Sequence, residues 1–151
     1  MKDTRLSSAL HLLVLVSEAE TPMSSEQMAK SMGTNASYVR KLSGSLRNAG
    51  IVQSRKGSAG LRLVPDPSDL TLLDVYLAVC ETDHVELFEV HRNPSDQCIV
   101  GRHIGPVLGD MFTDLEEEAA RELRSLTLAD CIAALRARAV RQGERVPHTT
   151  T

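Results

Sequence analysis

The first 50 residues place apolar side chains at helical spacing in separate segments. The first segment predicts a helix over about residues 4–19, and its apolar positions are Leu6, Leu10, Leu13 and Val14. Pro22 ends this helix, because proline cannot continue one. Ser24 and Gln27 have the spacing of a capping box, which predicts a second helix that runs to about Met32.

The third helix separates its apolar and polar residues onto opposite faces. Gly33 supplies a left-handed turn before it, and Thr34 or Asn35 caps its first turn. Projection at about 100° per residue gathers Val39, Leu42, Leu46 and Ala49 on the apolar face. The opposite face is polar and basic and consists of Ser37, Arg40, Lys41, Gly44, Arg47 and Asn48. Together with the second helix and its short glycine turn, this helix predicts a helix-turn-helix that binds DNA.

A short hairpin is predicted directly after the third helix. Residues 51–54 and 61–64 have the composition of strands, and a glycine-containing loop over residues 55–60 joins them. The basic side chains of the hairpin are Arg55, Lys56 and Arg62. In that position they would meet a minor groove or its flanking phosphates, so the hairpin is predicted to be the wing of a winged helix-turn-helix.

The second half of the chain predicts three more helices. Capping boxes at Thr71 and Thr127 open helices that end near Cys80 and Ala139, and residues 81–98 show few regular signals. The third is a long amphipathic helix before Thr127.

Residues 101–125 are predicted to form this amphipathic helix. Its apolar stripe is Ile104, Leu108, Met111, Leu115, Ala119 and Leu123. Pro106 either starts or kinks the helix, and Glu116, Glu117 and Glu118 are expected to form a solvated face. Because a lone helix of this length needs a surface on which to bury its stripe, we expect the same helix of a second chain to pack against it in a homodimer.

These elements predict a mainly α-helical protein with a small β wing. Residues 1–66 are expected to form the winged helix-turn-helix domain, and residues 67–140 a linker helix, an irregular segment and the dimerisation helices. Residues 141–151 are expected to be a disordered tail. No apolar run approaches the length of a membrane span and no secretory signal precedes the first helix, so a cytoplasmic protein with no membrane partner is expected.

Charge is distributed unevenly along the chain. Residues 1–66 contain nine Lys or Arg and five Asp or Glu, a net charge of +4. Residues 67–151 contain eight and fifteen, a net charge of −7, and the two halves sum to the −3 of the chain. The basic half contains the helix face and the hairpin, which favours binding to phosphates. Two Tyr, two Phe and no Trp are too few to stack single-stranded bases, so double-stranded DNA is the expected partner.

Three cysteines at wide spacing favour free thiols over a disulfide framework or a zinc site. Cys80 and Cys131 occupy apolar helix faces and are expected in the core. Cys98 lies in the irregular segment, where a redox or metal role competes with its interpretation as an ordinary, partly buried cysteine. The sequence has no metal-ligand motif, phosphate-binding loop or nucleophile motif, so neither a metal site nor an enzymatic activity is expected.

Two sets of segments are similar to a known protein family. The first set, NASYVRKL (35–42), LRNAGIV (46–52) and residues 57–60, resembles the recognition helix and wing of the Rrf2 family of bacterial transcription regulators. Those similar to its YwnA-type branch are DLTLLDVYLAV (69–79), LFEVHRNP (87–94) and CIVG (98–101). The resemblance extends over nearly the whole chain. It implies a winged helix-turn-helix, a long dimerisation helix over residues 105–125 that crosses its partner, and a last helix that returns to the DNA-binding domain.

The cysteines depart from the pattern of the family. The resemblance implies that members with an iron-sulfur cluster carry three closely spaced cysteines between the fourth helix and the dimerisation helix, whereas this chain has Cys98 alone in that stretch. An iron-sulfur cluster, and any other cofactor, is therefore not expected. The signal stays open between a small-molecule effector, oxidation of the Cys98 thiol and a protein partner.

The predicted function is that of a dimeric repressor that binds a pseudo-palindromic operator. The residues predicted to contact base edges or the adjoining backbone are Ser37, Tyr38, Arg40 and Lys41. Those predicted to contact phosphates or the minor groove are Arg47, Arg55, Lys56 and Arg62. Two alternatives stay open: a winged helix that binds a protein in place of DNA, and a redox-sensing regulator that acts through Cys98.

Overall fold

The computed structural model of the chain describes residues 2–57 and 59–145. These ranges contain six helices and one two-stranded antiparallel sheet. The helices are α1 (Arg5–Glu18), α2 (Ser25–Met32), α3 (Ala36–Asn48), α4 (Leu72–Cys80), α5 (Ile99–Ser125) and α6 (Leu128–Arg141). The strands are β1 (Val52–Ser54) and β2 (Leu61–Leu63). The predicted fold class, mainly α-helical with a small β wing, is confirmed.

Side-chain caps start four of the helices where the sequence predicts them. Complete capping boxes are formed by Ser24, Thr71 and Thr127. Asn35, and not Thr34, caps α3, because its Oδ1 accepts the backbone N–H of Tyr38 at 2.9 Å. Gly33 ends α2 with a φ of 69°, in the left-handed region that glycine adopts without strain. The boundaries of the helix-turn-helix are therefore set by contacts between residues that lie within a few positions of each other in the sequence.

One hydrophobic core joins the first four helices, the wing and the last helix. Its side chains with no exposed surface are Ala9, Leu12, Leu13, Val39, Leu46, Val52, Val75 and Leu128. Leu128 belongs to α6, and its backbone N–H donates to the carbonyl of Leu70 at 2.8 Å. The core thus continues past residue 66, and we refer to α1–α4, β1, β2 and α6 as the core unit.

A buried ion pair ties α6 to α1. Glu18 is 7% exposed. Arg136 donates to it twice, from Nε to Oε2 at 3.0 Å and from Nη2 to Oε1 at 2.7 Å. Two charge-assisted hydrogen bonds in this geometry offset the cost of removing the carboxylate from water. The pair holds α6 against α1 in one orientation.

Helix α5 differs from the others, because none of residues 99–125, all within the described structure, is buried. The helix begins at Ile99, so Pro106 lies inside it and does not start it. The side chains that are more than half exposed in its apolar stripe or beside it are Val107, Met111 and Leu115. Farther along, Ala119 and Leu123 pack against a small cluster formed by Leu73 and Tyr76 of α4 and by Val85. The core unit therefore covers one end of the stripe and leaves the middle open.

The segment between α4 and α5 has no helix or strand, as its sequence predicts, yet side chains hold it at two places. The hydroxyl of Tyr76 accepts the N–H of Glu86 at 3.0 Å and donates to its carbonyl at 3.1 Å. Glu116 Oε1 accepts the N–H groups of Leu87 at 2.8 Å and Phe88 at 3.0 Å. The prediction that Glu116 belongs to a solvated face is therefore wrong, because backbone donors of the irregular segment reach its carboxylate.

Two further expectations need correction at helix ends. Ala49 is exposed and does not belong to the buried face of α3, because the helix ends at Asn48. Helix α6 continues to Arg141, so that residue is not part of a disordered tail, and residues 146–151 lie outside the described residues. None of the helices described in the structure is both long enough and apolar enough to span a membrane.

Candidate nucleic-acid interface

Helix α3 presents a basic surface because its apolar side packs into the core unit. Val39, Leu42 and Leu46 are buried, and so is Ser43, whose Oγ donates to the carbonyl of Val39 at 2.7 Å. The exposed residues on the opposite side are Ser37, Arg40, Lys41, Arg47 and Asn48. The predicted separation of the two faces is confirmed by this burial pattern.

Tyr38 is placed differently from the other predicted contact residues of α3. It is partly buried and packs against the hydrophobic core. Its backbone N–H is already used by the cap residue Asn35. The core thus positions the ring, and the exposed part of Tyr38 is what can meet a partner.

An acidic residue from α2 reaches the basic face. Arg40 Nη1 lies 3.4 Å from Oε1 of Glu26, and the two side chains are 60% and 72% exposed. Because exposed ion pairs contribute little to stability, Arg40 can exchange this carboxylate for a phosphate or a base edge. Sequence analysis of α3 alone finds no acid on its face and misses Glu26, since the carboxylate comes from the neighbouring helix.

The two strands of the wing place Gln53 and Arg62 on one side and Val52, Leu61 and Leu63 on the other. Their facing pairs are Val52 with Leu63, Gln53 with Arg62 and Ser54 with Leu61. Val52 has no exposed surface, whereas Arg62 is exposed and donates from Nη2 to Oε1 of Gln53 at 2.6 Å. Side chains alternate along a strand, so Arg62 lies on the solvent side of the wing. The hydrogen bond to Gln53 orients the guanidinium of Arg62 on that side.

Gly60 seats the wing against the connection between α1 and α2. Its φ is +106°, and a Cβ built on it would lie 2.9 Å from the Cβ of Pro22. A larger residue would force the wing away from this position. Arg55 turns to the same side, where its Nε donates to the carbonyl of Leu61 at 3.4 Å and it lines a small cavity with Pro22. Lys56 stays exposed near the tip.

A groove of about 480 Å³ lies between α2, α3 and the wing. Arg40 and Arg47 line it from α3, and Ser54 and Gly60 line it from the wing. The structure thus brings two of the predicted contact residues into one groove. The predicted residues outside its lining are Ser37, Tyr38, Lys41, Arg55, Lys56 and Arg62. Guanidinium groups in such a groove attract a phosphate backbone.

Cys98 lies at the N-cap of α5 and is exposed. Its interpretation as partly buried is wrong, because the irregular segment leaves the start of α5 uncovered. Hydrogen bonds from the backbone N–H groups of Gly101 and Val100 hold the pKa of the thiol below its ordinary value. Cys80 and Cys131 are partly buried, and burial raises the pKa of the Cys80 thiol. Cys98 is therefore the most accessible of the three thiols.

The chain is similar to known transcriptional regulators along most of its length. Residues 2–134 match the sequence profile of the Rrf2 family, described as iron-dependent transcriptional regulators. The chain is 41% identical over 130 residues to YwnA of Bacillus subtilis (strain 168), which is named as an HTH-type transcriptional regulator. That match covers 86% of this chain and 96% of YwnA.

Solved structures share the fold. One crystal structure, described as that of a DNA-binding protein, is 35% identical with a TM-score of 0.70, and the match covers 85% of this chain and 98% of the other. The structure of CymR, the global cysteine regulator of B. subtilis, is 21% identical with a TM-score of 0.64 and covers 88% and 96%. At that lower identity the likeness concerns the fold alone.

The family description raises the question of whether this chain has ligands for iron. Cys98 is exposed at the start of α5, whereas Cys80 and Cys131 lie on α4 and α6. Among the residues that the structure describes, no three His, Cys, Asp or Glu side chains are grouped so that they could hold a metal ion. The side chains present therefore do not fit an iron-sulfur cluster held by several cysteines.

Proposed function

Because the chain belongs to the Rrf2 family of transcriptional regulators, we propose that it is a repressor that binds a pseudo-palindromic operator as a homodimer. The observation that carries this proposal is the groove between α3 and the wing, which Arg40 and Arg47 line. A helix with such a surface fits the major groove of duplex DNA, and a wing beside it reaches the minor groove or the adjacent phosphates.

The contact residues divide by their place on the core unit. The residues proposed to contact base edges or the adjoining backbone lie in the first half of α3 and are Ser37, Tyr38, Arg40 and Lys41. In helix-turn-helix proteins the N-terminal part of the recognition helix is the part that reaches bases. The residues proposed to contact phosphates or the minor groove are Arg47, Arg55, Lys56 and Arg62.

Gly44 supports a close approach of α3 to DNA. It lies inside the helix, and a Cβ built on it would meet no heavy atom within 4 Å. Packing within the chain therefore does not require a glycine, although glycine in a helix interior costs about 0.5–1 kcal/mol relative to alanine. A surface that comes close to α3 from outside accounts for a residue without a side chain here.

The exposed apolar side of α5 supports the homodimer. Val107, Met111 and Leu115 follow one another at intervals of four residues, and each is more than half exposed. This spacing places them along one side of the helix. A second α5 packed on that side would bury them. A two-fold dimer would then offer its two α3 helices to successive major grooves about 34 Å apart.

DNA binding is tested with sites that the purified full-length protein selects from genomic fragments. We expect the selected sites to have two-fold symmetric halves, and the affinity in fluorescence anisotropy to fall steeply with salt. Arg40→Gln and Lys56→Gln should each weaken binding about tenfold. Lys30→Gln, which removes an exposed charge from α2 outside the groove, should not. If neither salt nor either substitution changed the affinity for DNA, a protein-binding winged helix would be favoured and the proposal would be contradicted.

The homodimer is tested by sedimentation equilibrium. We expect the wild-type protein to be a dimer at micromolar concentration and Leu115→Glu to be a monomer, because a carboxylate would be buried in the proposed interface. Val140→Glu is the matched control, since Val140 is 65% exposed and belongs to α6, which is not part of the proposed interface. A monomeric wild-type protein would contradict the dimer.

Repression is tested in cells with a reporter placed behind a selected site. Reporter activity should rise when the gene for this protein is deleted and fall when the gene is restored. A fall on deletion would make the protein an activator.

A second candidate role, thiol sensing, is favoured by the exposure of Cys98 and by the N–H groups that hydrogen-bond its sulfur. Peroxide should oxidise the Cys98 thiol and change operator affinity in the wild type and in Cys131→Ser. A Cys98→Ser protein that responds like the wild type would exclude thiol sensing.

We also propose that the chain carries no iron-sulfur cluster. Protein purified without oxygen should therefore contain no iron and show no cluster absorbance.

A further inference from the structure

A cavity of about 460 Å³ lies between α4, α5 and the residues that follow α4. Its apolar floor consists of Leu73, Leu77, Val85 and Ala120. Leu73 and Val85 are 8% and 4% exposed and form a small hydrophobic cluster with Tyr76. The volume lies in the range of small-molecule sites, and the lining is separate from the proposed DNA-contacting residues.

Charged side chains stand at the two ends of this cavity. The backbone N–H of Leu72 donates to the carbonyl of Leu126 at 2.9 Å, so α4 begins where α5 ends. Because Ala119 and Leu123 of α5 also pack against the cluster that contains Leu73 and Tyr76 of α4, the two helices lie side by side and run in opposite directions. Arg124 therefore lies at the end of the cavity formed by Leu73, and Glu117 lies toward the other end. Glu117 and Arg124 are seven positions apart in α5, an axial rise of about 10 Å.

Glu117 and Arg124 are the charged groups of the lining that remain available. Asp83 Oδ1 lies 2.6 Å from Nδ1 of His84, and Glu116 accepts the two N–H groups of the irregular segment. Glu117 and Arg124 are exposed, and in the part of the chain that the structure describes neither forms a salt bridge. An acid and a base thus stand at opposite ends of an apolar floor.

We propose that this cavity binds a small organic zwitterion, with its ammonium group against Glu117, its carboxylate against Arg124 and an unbranched apolar chain over the floor between them. Burial of the chain supplies affinity, and the charged ends set the orientation. The planar guanidinium of Arg124 matches a carboxylate with two parallel hydrogen bonds. A ligand with one charge leaves one end of the cavity without a partner.

The position of the cavity links such a ligand to DNA binding, a consequence that rests on the proposed function. Helix α4 belongs to the core unit, whereas α5 carries the proposed dimer surface. The end of α4 also contacts α3, because Ser45 Oγ donates to Oε1 of Glu81 at 3.1 Å. A ligand that spans α4 and α5 and prefers one arrangement of these helices will change the affinity for the operator.

Isothermal titration calorimetry of the full-length protein without DNA tests the site. The probe is 8-aminooctanoate, and octylamine and octanoate each carry one of its two charged groups. We expect 8-aminooctanoate to bind about tenfold more tightly than either. Glu117→Gln should weaken 8-aminooctanoate and octylamine about tenfold and spare octanoate. Arg124→Gln should weaken 8-aminooctanoate and octanoate by a similar factor and spare octylamine.

Two matched controls remove the same charges from exposed positions of α5 outside the lining. Glu122→Gln and Arg121→Gln should keep the wild-type affinity for 8-aminooctanoate. No binding at millimolar concentration, equal binding of the three probes, or equal losses in the controls would overturn the proposal. Because the titration contains no DNA, a failure of the proposed DNA binding leaves this result intact. An operator affinity that 8-aminooctanoate leaves unchanged would overturn the regulatory consequence.

Discussion

The core unit buries its apolar side chains, whereas α5 leaves several of its apolar side chains exposed. In the core unit, side chains such as Leu12, Leu46 and Leu128 have no exposed surface. In α5, which the structure describes along its whole length, no residue is buried and Met111 is 58% exposed. An apolar stripe in a sequence therefore shows that burial is needed, but not which chain supplies the covering surface.

This difference fits the two tasks of the proposed regulator. The core unit has to hold α3 and the wing in a fixed arrangement, since the groove between them is what a duplex would meet. Helix α5 has to leave its middle open if the partner helix of the proposed homodimer is to pack there. Substitutions in the two regions should accordingly affect different properties. Those in the core unit should mainly change the free energy of unfolding, and those on the exposed apolar side of α5 should mainly change dimerisation.

The largest expected effect tests whether α6 belongs to the core unit. Leu128→Ala removes a side chain with no exposed surface and should lower the free energy of unfolding by about 2–5 kcal/mol. Leu135→Ala on the same helix is the control, because Leu135 is 42% exposed and should change the free energy by less than about 0.5 kcal/mol. Urea denaturation measures both, and equal effects would contradict the burial of α6.

The next effect tests the ion pair that orients α6. Arg136→Met leaves the Glu18 carboxylate buried without its partner and should lower the free energy of unfolding by about 2 kcal/mol. The value lies below that of fully buried pairs because the Arg136 side chain is 35% exposed. The double substitution Glu18→Leu with Arg136→Met should restore part of the loss. Denaturation curves of the single variant that match those of the wild type would contradict the role of the pair.

A smaller effect of opposite sign is expected at Gly44 of the core unit. Gly44→Ala should raise the free energy of unfolding by about 0.5–1 kcal/mol, because the new methyl group meets no neighbour in the chain. Gly44→Leu should keep a stable fold but weaken operator binding at least about tenfold, since its side chain would stand between α3 and the DNA. Thermal unfolding and anisotropy separate the two results, and full operator affinity in Gly44→Leu would contradict a close approach.

The smallest effect concerns the contact between α5 and the irregular segment. Hydrogen bonds from the backbone N–H groups of Leu87 and, to a smaller extent, Phe88 hold the pKa of Glu116 below its ordinary value. The stability they contribute is present above the unfolded-state pKa and is lost as the pH falls through the lowered folded-state pKa. Glu116→Gln should cost less than about 1 kcal/mol at neutral pH.

The pH dependence of unfolding checks this contact. Between neutral pH and about pH 3, the wild type should lose more stability than Glu116→Gln, because only the wild type has the carboxylate that becomes protonated. Glu122→Gln, an exposed acid of α5 that forms no salt bridge in the described part of the chain, is the control and should follow the wild type. Identical pH profiles for the wild type and Glu116→Gln would contradict a stabilising contact between Glu116 and the irregular segment.

The predictable parts of the fold depend on signals a few residues apart. The capping boxes of Ser24, Thr71 and Thr127 and the turn at Gly33 lie where the sequence indicates them, because each joins groups within one helical turn. The apolar and basic faces of α3 follow from helical periodicity in the same way.

The parts of the candidate site that sequence analysis missed involve residues from different elements. Glu26 of α2 pairs with Arg40 of α3, and Gly60 of the wing meets Pro22. Neither contact follows a period or a spacing in the sequence. Each depends on how two elements pack against each other, which local patterns do not encode.

The sequence by itself determined the order of the helices, the faces of α3, the basic half of the chain and the presence of Cys98 as the one cysteine between α4 and α5. Only the tertiary structure decided that α6 closes the core through Arg136 and Glu18, which are 118 residues apart, and that Glu116 binds the irregular segment. The physical reason is that helix periodicity and capping involve neighbouring residues. The burial of a side chain or a charge depends instead on which distant segments exclude water from it.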